Sequence, residues 1–539
     1  MKIVLFRCPQ PLLIGESSGA LYSPNRSVTP EPTLPQLHGI IAAFAKQGGH
    51  DIQVVQTDLR DPQLRNTKEV VYGKLTLPYI NESLKKVYTG IPMDTIVDTF
   101  QDADVIGFSN NFGMSRGVVC RHIAWVRNHF PTKEIWVGGR DVFTQRVIDV
   151  YAQAAGNKNL VVWHGHVYDS LPSFLRWRLT GVDAPFGITT YDTNGLQTFC
   201  TPKPLGDRHG HFSAPLPIYP NPEAIGRFTG SGEGAPNPPF GRFVHATFSV
   251  GCPYDCGYCT TGYRERYLVC KDMPTIIAEL DMYQQLGVTH LAIMDDNLLA
   301  LGPAKIVAIM NEVNKRGFAV EFGNGLQLKL LAKWWGQIAE PVMSNCVSLY
   351  CPLEDLTQDT LYQKLDPTDD QLTLMKKIAH AKFANLRYVT MGVVHGVPGH
   401  TKEKLATTFL QNVRRFLDVF HNSPLEVAVT VFNFMALPGT QFGEVALNSG
   451  RMVVADPFAI DPEVCSFGTT SYAPEGMTHT EVFHLYEEAL NLNPAGKQLG
   501  LDYTTIQCVG DKALPPDERH LMPPNWRVPG YHLRAQVKK

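Results

Sequence analysis

The chain alternates short apolar runs with segments of helical periodicity, and it does so twice, on either side of a Pro- and Gly-dense stretch. No other feature restricts the fold as much. In the first part, apolar runs at 2–6, 51–56, 104–109, 134–139 and 160–164 read as buried strands. Leu37, Ile40, Ile41 and Phe44 recur at helical spacing, and Gly48-Gly49 ends that helix. Further helices are expected at 116–128 and 142–153. Strands that alternate with helices build a parallel sheet covered on both faces. Residues 1–180 are therefore expected to form an α/β domain, a Rossmann-like doubly wound parallel sheet. Such sheets bind ligands at the carboxyl ends of their strands.

Residues 181–242, dense in Pro and Gly as in Ala214-Pro-Leu-Pro-Ile-Tyr-Pro-Asn-Pro222, read as a linker with extended segments, with an ordered wrap between domains as the alternative because Phe, Tyr and Ile are kept. From Phe243 the alternation resumes. Strands are expected at 243–250, 290–294, 319–323, 346–351, 387–395 and 426–434, with helices at 273–286, 303–315, 328–339, 371–384 and 402–416. Asp272 suits a helix cap, and Pro274 suits the first turn that follows. Six βα units, without the length for eight, predict a partial (βα)6 barrel over 243–445, with function on its strand-end loops. Residues 446–539 read as a small C-terminal domain with one firm helix at 479–492.

The 539 residues carry a net charge of −3, with scattered Lys and Arg, which gives no basic field for nucleic acid. No run approaches the ~20 apolar residues of a membrane span. The first residues, broken at Arg7 and Pro9, do not form a signal segment, so the expected location is cytoplasmic. Eleven cysteines, an odd count, argue against a disulfide framework.

Cys252, Cys256 and Cys259 fall within eight residues, in Val250-Gly-Cys-Pro-Tyr-Asp-Cys-Gly-Tyr-Cys-Thr260. Three thiolates so close together suit one polynuclear metal centre. On a four-iron cluster they leave one iron open, and an open metal position is where chemistry happens. A structural zinc ion is the plainer alternative. It wants four ligands, usually in two spaced pairs, and the nearest downstream histidine is His290.

The C-x3-C-x2-C spacing, with an aromatic before the last cysteine, resembles the radical S-adenosylmethionine (SAM) superfamily. Further segments resemble its core in the family's order: Ile293-Met-Asp-Asp-Asn297, Gly323-Asn-Gly325, Glu354 with Leu361, His395-Gly-Val-Pro-Gly-His-Thr401 and Leu437-Pro-Gly-Thr440. The glycine usual before that Glu is absent, and Cys351-Pro352 stands there. The first domain resembles the cobalamin-binding domain found ahead of such cores, through Asp104-Val-Ile-Gly-Phe-Ser109, Trp136-Val-Gly-Gly139 and Val162-Trp-His-Gly165. The Asp-x-His-x-x-Gly of classical cobalamin domains is missing. Asp207-Arg208-His209 lacks its glycine and reads as incidental.

The resemblance implies a [4Fe-4S] cluster on Cys252, Cys256 and Cys259, with SAM at Asp295, Asn297, Gly325 and Glu354. It implies cobalamin at Ser109, Asn110, Gly138 and Gly139, with Asn111 and Gly113 nearby. His395 and His400 receive no catalytic role, and Cys351 reads as a buried cysteine, with a redox or substrate-contact thiol as the alternative. The implied activity is methylation of an unactivated carbon on a small-molecule or peptide-derived substrate, through a 5'-deoxyadenosyl radical and methylcobalamin. The substrate would lie between corrin and cluster, partly covered by the C-terminal segment, and a flavodoxin or ferredoxin would supply electrons. Radical ring formation or rearrangement with the same cofactors, and a non-catalytic corrin- or cluster-binding sensor, stay open at this point.

Overall fold

The computed structural model describes residues 1–8, 11–18, 36–56, 68–90, 92–110, 115–141, 144–182, 185–202, 210–212, 214–219, 243–261, 267–357, 368–381, 383–453 and 470–492. The N-terminal sheet has seven strands. Five are parallel, in the order Asp51–Gln56, Lys2–Arg7, Val105–Ser109, Glu134–Gly138 and Leu160–Trp163. The chain adds Asp51–Gln56 on one side of Lys2–Arg7 and the later strands on the other, and this reversal of strand order, with these five strands parallel, places the ligand crevice of such a sheet between Lys2–Arg7 and Val105–Ser109. The helices Arg116–His129 and Gln145–Ala154 pack on one face, and Gln36–Gln47 and Val167–Thr180 on the other. Side chains of successive strand residues leave on opposite faces. Val4, Phe6, Ile106 and Phe108 accordingly join one apolar core, and Ile3, Leu5 and Val105 the other.

Two features exceed the sequence expectation. Ile188–Tyr191 and Gln197–Cys200, within the stretch read as linker, add an antiparallel pair to the sheet edge. Residues read as unassigned form a three-stranded antiparallel sheet from Pro11–Gly15, Lys68–Thr76 and Ser83–Gly90. Leu13, Leu75, Leu77 and Leu84 of this insertion enter the core of the second domain. Tyr79 beside it donates to the Thr470 carbonyl at 2.8 Å and lies 4.9 Å, centroid to centroid, from Phe483 of the C-terminal helix His479–Asn491.

The second sheet contains six parallel strands in unbroken chain order: Phe243–Ala246, His290–Ile293, Ala319–Phe322, Cys346–Glu354, Tyr388–His395 and Glu426–Asn433. The first and last are not paired, so this is the open partial barrel that six βα units require. The helix Met273–Gln285 starts as its sequence suggests, with the Asp272 carboxylate accepting from the Thr275 amide at 2.7 Å and Pro274 in the first turn. Val320 and Phe322 face the helices, so Glu321 between them turns to the barrel interior. Burial pushes the Glu321 carboxyl up to about 8.

The expected strand 243–250 is interrupted. Ser249–Val250 leaves the barrel and pairs antiparallel with Val269–Lys271. That departure turns the chain outward just before Cys252. No helix among the described residues is long and apolar enough to cross a membrane. None of the nine cysteines among the described residues forms a disulfide.

Candidate functional site

The cysteine loop follows the first barrel strand, and neighbouring strand ends hold it. Asp295 and Asp296, adjacent in sequence, hold it from different directions. The Asp295 carboxylate is buried and accepts from the Phe248 amide at 3.1 Å, the Ser249 amide at 2.6 Å and the Ser249 hydroxyl at 2.5 Å. Burial raises its pKa to about 6 against the pull of those donors. Asp296 accepts from the Gly251 amide, next to Cys252, at 3.2 Å. At the far end of the loop, the Phe442 amide donates to the Gly257 carbonyl at 2.7 Å, and its ring occupies the space a Gly257 Cβ would need. Phe442 belongs to the helix Gln441–Asn448, which Thr440 caps through the Gly443 amide at 3.0 Å. The Pro-Gly-Thr element thus buttresses the cysteine loop from outside.

Beside the loop lies a recess lined by Asp296, Asn297, Asn324, Gly325, Gln327, Leu328, Pro352, Glu354 and Gln371. Three of the four residues assigned to SAM from the sequence meet there: Asn297, Gly325 and Glu354. Asp295 does not line the recess, because its carboxylate is engaged with the loop backbone. Asp296 lines it instead. Gly325 has φ +84°, and a Cβ there would lie 2.5 Å from the Tyr350 ring, so only glycine lets the third and fourth strand ends approach this closely.

Glu354 has φ +65°, a left-handed conformation uncommon for a residue with a Cβ. The pairing of the fourth and fifth strands shifts between Pro352 and Glu354, and this irregularity turns the Glu354 side chain into the recess. Tyr258, between two of the cysteines, donates its hydroxyl to Glu354 Oε2. Burial, followed by that carboxylate, pushes the phenol well above its ordinary range, so it remains a donor.

Gln327 was not singled out in the sequence, where it follows a glycine turn in a helix start without a motif. It is buried, and its Oε1 accepts from Asn297 Nδ2 at 3.1 Å. The same Asn297 Nδ2 lies 3.5 Å from Cys252 Sγ. Asn297 Oδ1 and Gln327 Nε2 are left without partners among the described residues. Reversing both amides would exchange the atoms and still leave one donor and one acceptor.

Among the described residues no group of three or more His, Cys, Asp or Glu side chains converges as the ligands of a single ion would. A polynuclear cluster places its thiolates at separate corners, so the test of fit is the donor set. Three cysteines outside any disulfide share one loop, and a polar recess with an unmatched donor and acceptor adjoins Cys252. These residues fit a cluster with an open iron and a polar ligand beside it. Cys270, next along the chain, packs in the apolar core.

His395 and His400 are fully buried outside the barrel interior. His400 Nε2 lies 3.0 Å from Asp355 Oδ1, and His395 Nδ1 lies 3.2 Å from Asn433 Oδ1. Burial and then His400 hold His395 down to about 3. Cys351 is likewise a core residue.

In the N-terminal domain, Ser109 ends its strand half-exposed. Asn110 is buried, and its amide donates to Tyr151 Oη at 2.7 Å and Asp141 Oδ2 at 3.2 Å. Gly139 has φ +114°, and a Cβ there would fall 2.0 Å from the Asn110 carbonyl oxygen. Its lack of a side chain serves loop-to-loop contact. At Gly138 a Cβ would meet only Trp163, at 3.4 Å. Asn111, Gly113, Leu361 and the Asp207-Arg208-His209 run lie outside the described residues.

No protein-family model and no curated protein matches this sequence. Solved structures do. The architecture, a doubly wound sheet joined to an open partial (βα)6 barrel, is the fold seen in solved structures of cobalamin-dependent radical SAM enzymes. The radical SAM methyltransferase TsrM from Kitasatospora setae, with cobalamin and a [4Fe-4S] cluster bound, superposes with a TM-score of 0.56 at 12% identity, covering 92% of this chain and 89% of TsrM. TsrM with tryptophan substrate and the SAM analogue aza-SAM gives 0.57 over 92% and 90%. The cobalamin-dependent SAM radical enzyme OxsB, with aqua-cobalamin and SAM bound, gives 0.60 at 13% identity, over 90% of this chain and 66% of OxsB.

Proposed function

We propose that this protein is a cobalamin-dependent radical SAM enzyme that methylates an unactivated carbon of a small-molecule or peptide-derived substrate. One observation carries the reading: three cysteines grouped on a single loop adjoin a recess lined by Asp296, Asn297, Gln327 and Glu354. The fold shared with TsrM and OxsB supports it. Cys252, Cys256 and Cys259 would hold a [4Fe-4S] cluster, and the recess would take SAM. Residues 1–180 would carry cobalamin, residues 243–445 the radical core, and residues 446–539 would cover the substrate. When bound, these groups supply a low-potential electron, a radical-forming sulfonium and a methyl carrier.

The chain's own part is positioning. Glu354 and Asp296 offer carboxylates to a cationic ligand. The open amide positions of Asn297 and Gln327 match a group with one donor and one acceptor. Asp295 and Phe442 hold the cysteine loop against this wall. A cytoplasmic flavodoxin or ferredoxin is the proposed electron donor.

The test is anaerobic reconstitution with iron, sulfide and hydroxocobalamin, followed by incubation with SAM and reductant. Iron–sulfur and corrin absorption, with release of 5'-deoxyadenosine, are expected. Replacing Cys252, Cys256 and Cys259 together by Ala should abolish the first and third and keep the second. Zinc in place of iron would sink the reading. Deoxyadenosine without S-adenosylhomocysteine would leave the radical chemistry standing and remove methyl transfer.

A further inference from the structure

We propose that Arg140 is a positioning residue that couples the ligand crevice of the N-terminal sheet to the recess beside the cysteine loop. The identity of the two ligands, cobalamin and SAM, rests on the function proposed above.

The backbone on both sides of Arg140 is held by its own domain. Gly139 sits against the Asn110 backbone in a conformation and a space that only glycine fits. Asp141 is buried and receives the Arg116 guanidinium through two hydrogen bonds, from Nε at 2.8 Å and Nη2 at 2.7 Å. Tyr151 donates to the same carboxylate at 2.7 Å. These contacts tie together the segments that follow the strands Val105–Ser109 and Glu134–Gly138, the end of the sheet at which a doubly wound fold takes its ligand.

From that frame the Arg140 guanidinium reaches across to the barrel and donates to Asp296 Oδ1 at 2.5 Å. The other oxygen of Asp296 accepts from the Gly251 amide, and Asp296 also lines the recess. One carboxylate therefore touches the N-terminal domain, the residue before Cys252 and the ligand wall. The Asp296 side chain is 8% exposed and the Arg140 side chain 53%, so a largely buried carboxylate meets its cation at the edge of the recess. A ligand that moves the Gly139–Asp141 turn moves Arg140, and Asp296 follows or loses its counter-ion. Such a linkage is reciprocal: each ligand changes the other's affinity by the same factor.

The experiment is equilibrium dialysis of SAM against cluster-loaded protein, with and without hydroxocobalamin, for wild type, Arg140→Gln and Arg140→Lys. In the wild type, corrin loading is expected to change SAM affinity about tenfold, within the usual range of such couplings. Arg140→Gln should bind each ligand alone with a ratio near one. Arg140→Lys should recover part of the ratio, because an ammonium still pairs with Asp296. A merely structural role would weaken binding and leave the ratio unchanged. Iron content and thermal melting report whether each variant folds.

A wild-type ratio of one overturns the coupling, and so does an Arg140→Gln ratio equal to the wild type's. Either result leaves the functional reading intact, since both ligands bind. Wild-type protein that takes up neither ligand removes the functional reading and the coupling with it.

Discussion

Tyr258 donates its hydroxyl to Glu354 Oε2, joining the cysteine loop to the far wall of the recess. The two residues are 96 positions apart in the chain. Tyr258 is placed by the spacing of the cysteines, and Glu354 by an irregular, left-handed strand end. Loop and recess are thereby held as one unit.

Tyr258→Phe removes this donor and keeps the ring. A hydrogen bond to a charged group contributes about 1.5–3 kcal/mol, and about 1.4 kcal/mol is tenfold in affinity. SAM binding should weaken roughly 10- to 100-fold, while iron incorporated on reconstitution stays at the wild-type level. Equilibrium dialysis with iron determination checks both, and loss of iron would show that Tyr258 serves the cluster rather than the recess.

Asp295→Asn should act on the loop itself. The carboxylate accepts from three donors, two at Oδ1 and one at Oδ2. An amide presents one oxygen and turns an N–H group toward one of those donors. Leaving a buried donor unsatisfied costs about 1–3 kcal/mol. A lower urea midpoint and reduced cluster loading are expected; an unchanged midpoint would contradict the assigned role.

The two adjacent glycines should respond differently to alanine. Gly139→Ala forces a Cβ into the Asn110 carbonyl at positive φ, so the loops carrying Asn110 and Gly139 must move. Corrin retention on gel filtration should fall sharply while cluster absorption persists. Gly138→Ala meets only Trp163 at 3.4 Å and should retain corrin nearly as well as wild type. Equal losses would mean that both positions face the ligand.

Glu321 gives a pH dependence. Burial raises its pKa to about 8 from the ordinary 4.5. Between these values the folded protein holds a proton that the unfolded chain has released. The contribution of this group is thus present in full below about 4.5 and is lost as pH rises toward about 8. Glu321→Gln lacks that loss. Its urea midpoint should gain on the wild type's from pH 5 to pH 8.5, and a constant difference would show that the carboxyl ionises normally.

How far the chain could be read depended on the range of the interactions involved. Strands such as Asp51–Gln56 and helices such as Pro303–Lys315 were legible because their periodicity lies within a dozen residues. The insertion sheet was not legible, because Pro11–Gly15 pairs with Ser83–Gly90, some seventy residues away, without a short turn to announce it. Within the site, Asn297, Gly325 and Glu354 were found through motif order, whereas Gln327 carries no motif. Asp295 and Asp296 are chemically identical, and no local signal tells which one lines the recess.

The sequence alone determined the alternation of strands and helices in the two parallel sheets, the open partial barrel and the three grouped thiols. Each of these follows from the spacing of near neighbours and survives any later arrangement of the chain. Tertiary structure alone decided that Asp296 and not Asp295 lines the recess, that Glu354 turns inward through a left-handed strand end, and that Arg140 meets a carboxylate 156 residues away. The direction of a side chain at a strand end is set by the strand pairing and loop contacts around it. Those partners come from distant parts of the chain and meet only in the folded molecule.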